Sequence, residues 1–292
     1  MATELERAYD YCRRITRSQA KNFYFAFRTL PADKRRAIYA TYAFCRVCDD
    51  IADGDRPTEE KRRLLSETRE RLHQSSDAGA AHPVFMALKD AADSFQIPAH
   101  YFEEVINGVE TDLGRTRFEN FQELQAYCYK VASIVGLISI EVFGYEDPRT
   151  KQYAIDLGIA MQLTNILRDV NEDAGRGRIY IPLDEMSRFG YTEGELQDGV
   201  VNEAFRDLMS FQVERARRFF DTGRCLIPLV PQRSTACPAL LLAVYSAILD
   251  RIESSGYRVF DGRIALSTTE KLIITARIWA RSLIPTVPIP GR

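Results

Sequence analysis

The chain has 292 residues, 46% of them hydrophobic and 27% charged, and a net charge of −2 at neutral pH. That length allows one large domain or two modest ones, and the composition is that of an ordinary soluble globular protein with ample apolar residues for a core. A near-neutral balance without a local basic stripe excludes nucleic acid as a partner recruited by charge.

The N-terminal run Met1-Ala2-Thr3-Glu4-Leu5 has no apolar core region, so no signal peptide is expected and the protein is read as cytoplasmic. Apolar residues then recur at three- and four-residue spacing over 4–21, 32–53, 58–73, 83–95, 100–113, 121–143, 148–170, 201–224, 237–255 and 266–283, and each span is predicted to be a helix. Pro31, Pro57, Pro83 and Pro98 fall near the proposed starts, where a missing N–H does no harm. No period-two strand is predicted. Two connectors are expected: polar Gln74 to His82, and Cys225 to Pro238 with its three prolines. Neither is long enough to separate domains. The longest apolar run, Ala236 to Leu249, is too short to cross a bilayer. One all-α domain over residues 1–292 follows, a helical bundle whose central cavity can host a site built from facing helices. Six cysteines are scattered along it, and the Cys45/Cys48 pair lies inside a helical run with no βαβ pattern around it. Packed, reduced thiols are expected.

Two acidic clusters carry most of the chemistry. The first, Asp49-Asp50-Ile51-Ala52-Asp53, closes the 32–53 helix, and the second runs from Asn165 to Asp173 at the end of the 148–170 helix. Residues four apart share a helix face, so Asp49 pairs with Asp53. Gln162, Asn165, Asp169 and Asp173 lie on a second stripe, the last three spanning roughly 12 Å. Apolar neighbours such as Val47, Ile51, Ile166 and Val170 put both helices against a core. Carboxylates crowded on a partly buried face repel one another and lose hydration unless a cation sits between them. An all-oxygen donor set suits Mg²⁺, whose coordination a phosphate-bearing substrate normally completes.

The second cluster leads into Ala174-Gly175-Arg176-Gly177-Arg178-Ile179-Tyr180-Ile181-Pro182, a flexible basic segment able to close over a diphosphate. Arg46 and Arg168 either neutralise carboxylates or hold a departing diphosphate. Near the N-terminus, Lys21 and Asn22 can meet phosphate oxygens, while Phe23 and Phe27 share a face suited to an apolar tail or to a core. Gly136 costs about 1 kcal/mol inside a helix relative to alanine, which close approach of a ligand or of a neighbouring helix would offset. His73, His82 and His100 lie far from every motif and form no Glu-x-x-His pair, so a di-iron carboxylate bundle is not indicated. No Gly-x-Ser-x-Gly elbow points to a serine nucleophile. Metal-assisted ionisation of a diphosphate remains, giving a carbocation sheltered in an apolar, aromatic-lined cavity.

Several stretches resemble the squalene/phytoene synthase family of head-to-head prenyl synthases. They are Phe23 to Pro31 (Phe-Tyr-Phe-Ala-Phe-Arg-Thr-Leu-Pro), Tyr42 to Asp53, Tyr127 to Ala132, Leu163 to Asp169, Gly177 to Pro182, Tyr245 to Leu249 and Gly256 to Phe260. The resemblance implies an isoprenoid synthase fold and Mg²⁺-dependent joining of two prenyl diphosphates through a cyclopropylcarbinyl diphosphate. Carried over by position, it implies that Asp49, Asp53, Asp169 and Asp173, with Asn165, bind Mg²⁺. Lys21, Arg46, Arg178, Tyr180 and Arg263 would hold diphosphates. Phe23, Phe27, Val131, Val135, Gly136 and Gln162 would line tail channels, and Tyr42, Asp112, Tyr127 and Tyr245 match polar cavity positions. Asn22-Phe23 resembles the hopanoid-pathway branch that turns presqualene diphosphate into hydroxysqualene, whereas Tyr24 to Arg28 resembles the condensing branches. The implied activity is of squalene type, on farnesyl or presqualene diphosphate. Phytoene synthase, dehydrosqualene synthase and, in a different class, a catalytically silent helical binding protein are alternatives. NADPH use is left open, and oily substrates imply peripheral contact with the inner face of a membrane.

Overall fold

The computed structural model describes residues 3–20, 23–73 and 82–282, and among them the chain is helical with no strand. The helices are α1 (Glu4–Gln19), α2 (Phe23–Phe27), α3 (Ala32–Asp53), α4 (Thr58–His73), α5 (Pro83–Phe95), α6 (Ala99–Thr111), α7 (Phe121–Cys128), α8 (Ile134–Phe143), α9 (Arg149–Arg168), α10 (Val170–Gly175), α11 (Leu183–Arg188), α12 (Glu193–Gln197), α13 (Glu203–Gly223), α14 (Gln232–Ser254) and α15 (Thr268–Ser282). Local chemistry sets many of the starts. Thr3 with Glu6 and Thr192 with Glu195 form reciprocal capping boxes, while Asn120 and Asn202 accept from the backbone N–H three residues on.

Helix α9 is the hub, and three glycines let its neighbours come close. A Cβ on Gly136 of α8 would sit 2.8 Å from the Ala154 carbonyl oxygen, and one on Gly223 of α13 would sit 2.8 Å from Leu157 Cα. On α9 itself, a Cβ at Gly158 would meet Ser133 Cα at 2.6 Å. The segment facing Gly158, Tyr129–Ser133, is a π-helical turn between α7 and α8. Such single-turn bulges rotate the following residues relative to a regular helix and recur at functional sites.

The long helices lie where the periodicity put them, with three differences. First, Cys225 to Pro238 is not a connector. Arg224–Leu229 forms a 3₁₀ turn and α14 starts at Gln232, so Pro238 sits inside a helix. One intrahelical bond is lost there, while buried Cys237 and Leu240 hold the turn in place. Second, the 148–170 helix breaks at Asp169 (φ −102°, ψ 13°). Third, α2, α10, α11 and α12 have only five or six residues each, too few to show a period. The Gln74 to His82 connector lies outside the described residues except for His82, whose ring nitrogen accepts from Val84 N–H at 3.3 Å.

Two helical segments longer than the uninterrupted run Ala236 to Leu249 are apolar on average. Phe121–Phe143 and Gln232–Ser254, each 23 residues, are long and apolar enough to cross a membrane by length and composition. About half of each is buried within the bundle.

Candidate active site

The C-terminal end of α3 forms one acidic wall. Asp49 is half-buried, and its carboxyl is pushed up to about 7. Burial is the main cause; Arg46 pulls the other way, and Asp53, Asp112 and Asp50 add to the rise. Asp50 faces outward and takes the Arg46 guanidinium, whose Nε stays buried without a partner. Asp53 receives Arg178 Nη1 at 3.4 Å and Arg176 Nη1 at 3.6 Å.

The opposite wall spans the junction of α9 and α10. Asn165 donates to Gln162 Oε1 at 3.3 Å. The break at Asp169 does not scatter the stripe. Asp169 N–H still donates to Asn165 O, and Asp173 N–H to Asp169 O, both at 2.9 Å. The Asp169 carboxylate is gripped from two sides, by buried Arg168 (Nε at 2.9 Å) and by Arg263 (Nε at 3.0 Å) from the loop beyond α14. Burial also lifts the Asp173 carboxyl to about 7; Asp169 reinforces the rise and Arg178 opposes it.

A polar bridge joins the walls on one side. Asp112, the residue after α6, accepts from Tyr127 Oη at 3.1 Å and Tyr180 Oη at 3.2 Å. The two tyrosine rings stack with centroids 5.3 Å apart, against Phe118. Burial raises the Asp112 carboxyl, with Arg178 and the two hydroxyls opposing and Asp53 adding to the rise. Tyr180 is placed by a strap in which Ile179 N–H donates to Thr116 O and Leu183 N–H to Phe118 O, each at 2.9 Å. Gly177, in that strap, has φ +74°, a conformation natural to glycine.

On the other side the bridge is aromatic. Phe23 lies 5.8 Å from Tyr245, 6.2 Å from Tyr42 and 5.9 Å from Phe27, centroid to centroid. Tyr245 is fully buried against Asn165 and Arg168, and Tyr42 is close to Asp49 and Arg46. The neighbours thus close into a ring, from Asp49 through Asp53, Asp112, Arg178, Asp173, Asp169, Asn165, Tyr245 and Tyr42 back to Asp49. Val131, Val135, Gly136 and Gln162 stay half-buried on α8, the π turn and α9. Gly136 owes its missing side chain to the approach of α9, the packing alternative, while keeping accessible surface of its own. Lys21 and Asn22 lie outside the described residues.

The two walls and the basic strap are legible from the residues alone. Asp112, Tyr42, Tyr127, Tyr180, Tyr245 and Arg263 came only through the resemblance. Arg176 as a partner of Asp53, and Phe118 beneath the tyrosines, were not singled out. Arg176 lies more than 100 residues from Asp53, and Phe118 meets Tyr127 only because the run before α7 folds back onto it and Tyr180 only through the strap, so no local signal marks them.

Among the described residues no three His, Cys, Asp or Glu side chains converge tightly enough to hold a metal ion unaided. The donors are oxygens shared between two walls, and they are met by guanidinium groups. A hard cation that takes one or two carboxylates and completes its shell from substrate phosphates fits that set. Half-buried Cys45 and buried Cys48 are free thiols whose ionisation burial strongly opposes, so the C-x-x-C is packing material.

A family model described as squalene/phytoene synthase matches residues 16–270. The chain is 41% identical to the phytoene synthase of Arthrospira platensis, over 91% of this chain and 90% of that protein. It is 37% identical to the 15-cis-phytoene synthase of Synechocystis sp., over 95% of this chain and 86% of that one. A crystal structure of a dehydrosqualene synthase in complex with ligand superposes with a TM-score of 0.87 at 30% identity, covering 95% of this chain and 97% of that one. A squalene synthase from Alicyclobacillus acidocaldarius gives 0.81 at 29%, covering 88% and 97%. Enzymes of this family are generally dependent on divalent metal. The chain belongs to the squalene/phytoene synthase family, and with its all-α fold it is a head-to-head prenyltransferase.

Proposed function

We propose that this enzyme joins two molecules of geranylgeranyl diphosphate head to head to make phytoene. The observation that carries the general reaction is the ring of carboxylates, arginines and tyrosines set over aromatic side chains. The longer prenyl chain rests on the relatives. Those sharing 36–41% of their residues with this chain are named phytoene synthases, whereas the dehydrosqualene and squalene synthase structures share 30% and 29%. That difference shifts the reading away from the squalene-type activity on farnesyl or presqualene diphosphate that the resemblance implied, and from the hydroxysqualene step that Asn22-Phe23 resembled.

Asp49, Asp53, Asn165, Asp169 and Asp173 are the residues that would hold Mg²⁺. Bound there, Mg²⁺ would neutralise diphosphate charge and ease departure of that group. Arg178, Arg176 and Arg263 are paired with aspartates and can exchange them for phosphate oxygens, a trade between charge-assisted hydrogen bonds. Asp112 and its two tyrosines hold the strap against the end of α6 and α7, beside the first wall. Phe23, Phe27, Tyr42 and Tyr245 offer ring faces to developing positive charge, and burial around them excludes water from a cation.

A product assay with Mg²⁺ tests this, offering geranylgeranyl, farnesyl and presqualene diphosphates separately, with and without NADPH. Phytoene formed without NADPH is the expected result. Conversion of farnesyl diphosphate to squalene or dehydrosqualene, with the geranylgeranyl substrate untouched, would return the reading to the squalene branch.

A further inference from the structure

We infer that Arg117 is a positioning residue that sets the basic strap at the mouth of the site and acts through Arg178. The inference rests on the reading above, that the ring receives a diphosphate. Arg117 lies in the extended run between α6 and α7, away from the ring. Its Nη1 donates to the Gly177 carbonyl at 2.7 Å and to the Thr116 carbonyl at 2.9 Å, and its Nε donates to Glu193 Oε2 at 2.8 Å. One side chain therefore ties together three segments: its own, the strap, and the start of α12.

Gly177 is the residue between Arg176 and Arg178, both of which reach Asp53. With φ +74° and open space around its Cα, Gly177 has no side-chain contact to hold it. Its carbonyl is held by the Arg117 guanidinium, and two residues later Ile179 N–H bonds Thr116 O at 2.9 Å. These two contacts dock the strap onto the 116–117 run on both sides of Arg178, while Gly177 N–H and Arg178 N–H bond back to Ala174 O and Asp173 O. Arg117 is fixed in turn, because its carbonyl accepts from Arg115 Nε at 3.0 Å and Arg115 pairs with Glu123 of α7. A planar guanidinium suits this role, since it presents several donors at fixed angles where a lysine offers a point charge. Loss of Arg117 releases the Gly177 carbonyl and leaves the strap tied to α10 through Gly177 N–H on Ala174 O at 2.9 Å and Arg178 N–H on Asp173 O at 2.8 Å, so the cost falls on how Arg178 is aimed at the anion.

The test is a double-mutant cycle on the full chain, read by calorimetry with pyrophosphate in the presence of Mg²⁺ and by KM and kcat with the prenyl diphosphate. Arg117→Ala is expected to weaken pyrophosphate binding and raise KM by about tenfold, the size of one lost hydrogen bond to a charged group. Arg178→Ala should cost at least as much, and the double variant no more than Arg178→Ala alone. Arg117→Lys should recover part of the loss. Glu193→Gln, at a more exposed site, should shift binding the same way by roughly two- to threefold. Additive losses in the cycle, or unchanged pyrophosphate affinity in Arg117→Ala with its helical circular dichroism intact, would overturn the inference. If Arg117→Ala does not fold, an unchanged affinity in Glu193→Gln overturns it. Pyrophosphate binding reports on the strap even if no prenyl diphosphate turns over, so failure of the proposed function is distinguishable from failure of the latch.

Discussion

The two acidic walls look alike in sequence and are built differently. The first rides on a single uninterrupted helix, α3, so Asp49 and Asp53 are fixed by regular geometry. The second straddles a break at Asp169, where α9 stops and α10 begins, and backbone hydrogen bonds carry the stripe across. The first wall has Arg46 on its own helix, paired outward with Asp50, and takes Arg176 and Arg178 onto Asp53 from across the mouth. The second carries its own cation in buried Arg168, with Arg263 added from outside. The difference is one of support: regular helix alone fixes the first wall, while the second depends on the two backbone hydrogen bonds that span the break and on the arginines gripping Asp169.

If both walls hold metal, the largest effects come from removing their donors. Asp53→Asn and Asp173→Asn should each lower turnover by at least about a hundredfold while circular dichroism stays helical. Chelation by EDTA should do the same to the wild-type enzyme, with recovery on adding Mg²⁺. Near-normal activity in either variant would break the symmetry between the walls.

Next in size is the packing that fixes α9 to the bundle. Gly158→Ala puts a Cβ 2.6 Å from Ser133 Cα, backbone against backbone, and should cost roughly 1–3 kcal/mol of stability, read as a lower Tm. An unchanged Tm would mean that the π turn yields easily.

The carboxylates should also leave a mark on pH stability. Asp49 and Asp173 are raised from 3.8 to about 7 in the folded protein, chiefly by burial, so the folded state holds their protons more tightly than the unfolded one. Their contribution to stability is complete below 3.8 and is lost as pH rises through about 7. Metal-free enzyme should therefore melt at a lower temperature at pH 8 than at pH 5. Asp49→Asn or Asp173→Asn should narrow that gap even as activity disappears. An equal gap in wild type and variants would locate the titration elsewhere.

The smallest effect separates the two cations on Asp169. Arg263 is mostly exposed, so Arg263→Ala should change stability by less than about 0.5 kcal/mol. A larger loss would show that Asp169 depends on the outer arginine more than on Arg168.

Helix content and both walls were legible because they are local. Periodicity of 3.6 marks a long buried helix wherever it docks, and carboxylates four apart share a face whatever lies opposite. The break at Asp169 was not legible, because Leu163-Thr164-Asn165-Ile166-Leu167-Arg168 continues the helical pattern up to it. Nor was Pro238 inside α14, since proline weighed against a helix that buried neighbours sustain. Gly136 could mark either a ligand or a helix contact, and only the Ala154 carbonyl decided for the latter.

By itself the sequence determined that this protein is a helical bundle carrying two oxygen-rich acidic faces and a basic strap. Those properties follow from residue type and short-range spacing. Tertiary structure alone decided that Asp112 takes both tyrosine hydroxyls, that Arg263 reaches Asp169, and that Arg117 holds Gly177. These contacts join segments from 15 to 94 residues apart. The close approach of α8, α9 and α13, which depends on glycines meeting backbone, likewise follows from no pattern within one helix.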